Sequence, residues 1–67
     1  MKHRGALEIL QLEVQISLLD SQARNLAVMA EYVDDSSRQV EYRKAADEVR
    51  KVIVEYQDRI RSLTDDQ

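Results

Sequence analysis

Nucleophilic catalysis sets a Ser, Thr or Cys beside an oriented base, and this chain is poorly supplied with such pairs. It has no cysteine, and its one histidine is His3. His3 falls ahead of the first expected helix, where a solvated side chain is the simple reading. Paired carboxylates occur at Asp34-Asp35 and Asp65-Asp66. The first pair reads as turn and helix-cap chemistry, the second as a solvated tail. Neither has the pocket in which burial tunes an acid or a base. The Glu-x-x-His spacing of metal sites in helical bundles is absent. The single glycine, Gly5, leaves no Gly-rich phosphate loop. No catalytic role, cofactor or metal is therefore expected.

Binding chemistry has more material. Arg43, Arg50 and Arg61 fall along one line of a helix, with Lys44 and Lys51 nearby. Such a row could contact nucleic acid or an anion. Asp47 and Asp58 interrupt it, and a net charge of −3 argues against general binding to nucleic acid or an acidic membrane. A salt-bridged, solvated face is the simpler account. Stacking platforms are scarce, since Phe and Trp are absent and Tyr42 and Tyr56 occupy seam positions. Tyr32 does not. Tyrosine is favoured at interfaces for its apolar body and polar tip, and Tyr32 is the best single candidate for a contact outside the fold.

These residues must be held by something, and the composition points to helices. The chain lacks proline, has one glycine, and is 34% charged, as exposed helical faces are. Two heptad seams run through it. The first is Ile9, Leu12, Ile16, Leu19, Ala23, Leu26, Ala30, Val33; the second is Tyr42, Ala46, Val49, Ile53, Tyr56, Ile60, Leu63. Steps of three and four alternate in each, the pattern of a coiled-coil seam. The first register, continued past Val33, runs into Lys44, Asp47 and Lys51. The phase breaks at Asp34-Asp35-Ser36-Ser37, residues that favour turns and N-caps. Ser36 and Gln39 have capping-box spacing.

The prediction is an all-α antiparallel helical hairpin in a single domain over 1–67, with helices over about 6–33 and 37–63 and a turn at 34–37. Lys2 and Arg4 would then meet Asp65 and Asp66, while Asp47–Lys51 and Glu55–Arg59 would pair along the second helix. Two rivals stand beside this reading. One is a single continuous helix of about 90 Å at 1.5 Å per residue, which the phase break opposes. The other treats the alternating segment Leu10–Leu18 as a strand. With two helices after it, such a strand would resemble a ribbon-helix-helix DNA-binding dimer. Glu13 would then face phosphate, and the helix after the turn is about twice the length such a fold needs.

The two helices differ in a way that bears on function. The second has one apolar face and one charged face, with only Val40 and Val54 apolar on the wet side. The first carries, besides its seam, Leu7, Leu10, Val14, Leu18, Val28 and Tyr32 on a second stripe, with Ser21 and Asn25 in its middle. Its one polar strip is Glu13, Ser17, Asp20, Arg24 and Glu31. A helix apolar on two sides belongs inside something. A chain of 67 residues without cysteine has a thin core and no disulfide to reinforce it. Oligomerisation or a larger partner is the remaining support. The expected assembly is a dimer of hairpins forming a four-helix bundle with the first helix central, in which Asn25 either sets register or lies at a wet edge.

The leading expectation is a non-enzymatic protein–protein interaction module, a small oligomeric regulator, inhibitor or adaptor. Its partner is itself, another protein, or both. The alternatives are a bundle binding RNA or DNA through Arg43, Arg50 and Arg61, and an oligomer enclosing a small anionic ligand with those arginines and Tyr32. Met1-Lys2-His3-Arg4 has the look of a basic leader, but Glu8, Gln11, Glu13 and Gln15 break the apolar run after it. No stretch approaches a membrane span. A soluble, cytoplasmic protein is expected, with a phage protein acting inside a cell as another form of that reading.

Overall fold

The computed structural model describes residues 5–65. It contains α1, Ala6–Tyr32, and α2, Ser36–Asp65, packed against each other. Val33, Asp34 and Asp35 connect them. The hairpin is a narrow rod of 54 × 14 × 9 Å. Its antiparallel sense appears at both ends. Near the turn, the Gln39 side chain donates to the Ala30 carbonyl at 3.0 Å. Near the open end, Arg59 Nε donates to Glu8 Oε2 at 3.0 Å. Lys2, Arg4 and Asp66, expected at that open end, lie outside the described residues, as does His3.

Heptad spacing explains which faces meet. Every residue of the two seams is buried or partly buried. Ala45 and Val52 join the α2 side. Among the described residues only Ala23, Ala30 and Ala46 are buried outright, at 1–2% exposure, and no large side chain is fully buried. Small side chains at these positions keep bulk out of the seam, which permits a close approach of two packed helices. Larger ones, Leu12, Ile16, Ile53, Tyr56 and Ile60, fill the seam toward the open end and stay partly exposed at its edges.

Both rival readings fail. The chain reverses at 33–35 rather than continuing as one helix, and Leu10–Leu18 is helical. Its alternation has a helical cause. Two residues turn an α-helix by about 200°, so apolar residues at every second position fall on opposite sides. Leu12 and Ile16 go to the seam; Leu10, Val14 and Leu18 go to the far face. A strand-like pattern here encodes a helix with two apolar faces.

The turn differs from expectation in detail. It is shorter and earlier, and α2 begins at Ser36. The cap is Asp35, not Ser36: its Oδ1 accepts the Ser37 backbone N–H at 2.9 Å. That removes the Ser36–Gln39 capping box. Gln39 instead satisfies the carbonyl of Ala30, one of the last four in α1 and without a helical partner of its own. Ion pairs also differ. Asp47 sits 3.9 Å from Arg50 rather than pairing with Lys51, and Arg59 reaches Glu8 across the hairpin rather than Glu55 on its own helix. Arg24–Asp20, at 3.0 Å, is a further pair at spacing four. All are exposed and contribute little to stability.

Two devices at the turn should be measurable by urea unfolding at fixed protein concentration. Asp35→Ala is expected to cost about 1 kcal/mol by removing the cap. Gln39→Ala is expected to cost about 1 kcal/mol by stranding the Ala30 carbonyl. In the close-packed seam, Ala46→Leu should cost about 1–3 kcal/mol by forcing the helices apart. Parent-like stability in all three would contradict this account of the turn and seam.

Candidate interaction surface

The residues that distinguish α1 lie on its side away from α2. Leu7, Leu10, Val14, Leu18, Val28 and Tyr32 are all exposed; Leu7 stands at 67%, Leu18 at 62% and Tyr32 at 82%. Every member of the predicted stripe is thus placed on one uncovered face. Ser21 and Asn25 are exposed in its middle. Met29, at 44%, belongs to the same face. It was not among the sequence candidates because it keeps no heptad with them. The signal lay in its spacing of eleven from Leu18, three helical turns.

The flanks of this face are unlike each other. Glu13, Asp20, Arg24 and Glu31 run along one side, with Ser17 between them and the stripe. Gln11, Gln15 and Gln22 run along the other. Glu8, the remaining charged residue of α1, is turned toward Arg59. Between the charged flank and the glutamine flank lies a charge-free arc of roughly 160° at 100° per residue. It extends over the length of α1. Scattered apolar residues on a surface are ordinary; here seven large ones share one face of a single helix.

On α2 the corresponding outer face is charged, with Val40 and Val54 exposed singly among Lys44, Asp47, Lys51 and Asp58. Arg43 and Arg50 share a shallow depression between the helices with Ala27, Glu31, Ala46 and Asp47. Arg61 is exposed but not part of it. The two arginines therefore share their depression with two carboxylates, and Arg50 lies 3.9 Å from Asp47. A second depression, toward the open end, is lined by Leu7, Glu8, Gln11, Leu12, Gln15 and Tyr56. Tyr42 and Tyr56 are partly buried at the seam, leaving Tyr32 as the exposed tyrosine.

Among the described residues, no group of His, Cys, Asp and Glu is arranged to hold a metal ion. Within the same residues no helix is long and apolar enough to cross a membrane. Comparison with family models, with curated proteins and with solved structures finds no match to this chain.

The geometry separates the fold from the outer face. At high dilution, Leu18→Ala and Tyr32→Ala should leave unfolding free energy within about 0.5 kcal/mol of the parent, as exposed positions do. Ile53→Ala, in the seam, should cost about 1–3 kcal/mol. Equal losses at all three, read from thermal melts, would place the outer residues in the hairpin's own core.

Proposed function

We propose that this chain is a non-enzymatic protein–protein interaction module, a small regulator, inhibitor or adaptor that works by burying the outer face of α1. One observation carries the reading: the charge-free apolar arc on the side of α1 that the hairpin does not use. Each of its large residues stands in water in the isolated hairpin, and each would gain about 25 cal/mol for every Å² of apolar surface covered. Docking there makes α1 the central helix of the assembly. If the docked surface is a second hairpin, the product is a four-helix bundle with α2 on the outside. The charged outer face of α2 then keeps the assembly soluble and discriminates among partners through rim charges.

The arginine row supports a nucleic-acid or anion reading less well. Glu31 and Asp47 lie in the same depression as Arg43 and Arg50, and their carboxylates oppose a phosphate or an anionic metabolite.

The test is a double substitution, Val14→Lys with Leu18→Lys, at two exposed positions whose change spares the seam. Extracts of cells expressing either form are fractionated by size, and the chain is followed by immunoblot. The parent is expected in an assembly larger than its 7.8 kDa mass, and the double variant at the size of the free hairpin. An unchanged assembly in the variant would overturn the reading.

A further inference from the structure

We infer that the occupant of the outer α1 face is a second copy of this chain, docked antiparallel about a two-fold axis level with Leu18 and Ser21. The two turns then point to opposite ends of the assembly. This inference rests on the interaction reading above and names its partner.

The stripe is self-complementary when reversed. With the axis midway between residues 19 and 20, Leu7 lies level with Tyr32 of the other copy, and Leu10 with Met29. Val14 lies level with Asn25, and Leu18 with Ser21. Large residues at the two ends of the stripe thus meet large residues, and the small, polar centre meets the branched side chains beside it. Asn25 sits against Val14 in the middle of the face, where a single polar side chain among apolar ones sets the register.

The flanks match in the same register. In an antiparallel pair of helices, each flank meets its own counterpart. Glu13 then comes beside Arg24 of the other copy, and the two-fold axis repeats this pair. Gln15 comes beside Gln22 in the same way. Arg24 holds Asp20 at 3.0 Å and its side chain is 76% exposed, so it has room to reach a second carboxylate. Asp20 approaches its own counterpart near the axis, where the two Arg24 guanidinium groups offset the like charges. A parallel register would instead set each charged flank against the glutamine flank and form no opposite-charge pair.

Area points the same way. The chain exposes 5557 Å², whereas a compact monomer of this mass exposes about 4,400 Å². The excess is roughly 1,200 Å², and a standard interface takes about 800 Å² from each partner. The elongated hairpin thus exposes more surface than a compact fold of its mass, by an amount of the order that one such interface covers.

The experiment uses the purified 67-residue chain. Light scattering across a concentration series should give twice the 7.8 kDa mass. The chain contains no cysteine, so Glu31→Cys provides a unique site for a spin label on α1 outside the apolar arc. Antiparallel docking sets the two labels about 35–40 Å apart, and parallel docking under about 20 Å, from the helical rise and the spacing of packed helices. In addition, Glu13→Arg should weaken the dimer several-fold, and adding Arg24→Glu together with Asp20→Arg, which reverses the whole charged flank, should restore it.

A dimer with the long distance and the charge-swap rescue supports the inference. A dimer with the short distance, or a swap without rescue, overturns the register. A purified monomer overturns the second copy as occupant. If the Val14→Lys, Leu18→Lys variant still dissolves a larger assembly in cell extracts, the interaction reading stands without it. If no assembly depends on those residues, both fall together.

Discussion

The constraint behind the whole structure is that α1 is apolar on two opposite sides while α2 is apolar on one. One hairpin can satisfy only three of these four demands: the seam face of α1, the seam face of α2, and the solvation of α2's charged side. The far face of α1 is left over. Its exposure does not come from a distorted fold, because the seam is complete on both helices. It follows from arithmetic between a two-faced helix and a one-faced partner. A long loop or a third helix could have covered the remainder; the described residues hold only two helices and the three-residue connection between them.

The seam itself is economical. Its fully buried positions are alanines, which bring little apolar area each but allow close helix approach. Such a core favours a defined geometry over a large transfer free energy. The described part contains no buried polar side chain, nor any buried side-chain N or O atom without a partner. Little is therefore wasted, yet little is stored. For a chain this short, a partner that bound only the folded hairpin would add its binding free energy directly to the folding stability. The seam that folds the hairpin and the uncovered stripe lie on opposite faces of the same helix.

How far the sequence announced this depends on the scale of the feature. Both seams and the uncovered stripe were legible residue by residue, because a 3.6-residue period repeated over many turns averages out local irregularity. The strand-like run from Leu10 to Leu18 was ambiguous for a definite reason: two opposite apolar faces on a helix imitate the alternation of a strand. Finer features were hidden. Asp34, Asp35, Ser36 and Ser37 are all competent caps, and the choice of Asp35 follows from the backbone path out of Val33. Gln39 resembled the second half of a capping box but answers a carbonyl on the other helix. Arg59 had a partner four residues away and found another across the hairpin. Each of these depends on where α1 lies beside α2, which spacing along one helix does not encode. Met29 was missed because its relation to the stripe is a three-turn interval rather than a heptad.

The distribution of seam residues along the rod is uneven. Ala23, Ala30 and Ala46 lie in the half toward the turn, where the Asp35 cap and the Gln39 bridge also sit. The opposite half is filled by bulkier, partly wetted side chains and closed by one exposed ion pair. The hairpin is accordingly built like a pair of tweezers, joined firmly at the bend and loosest at the tips. Breathing motions should start at the tips and die out toward the bend, since local opening takes place where burial is least. Leu7 and Leu10 ride on the tip half of α1. A molecule resting on them would bear on one arm of the lever alone, stiffening its compliant half without bridging the two tips.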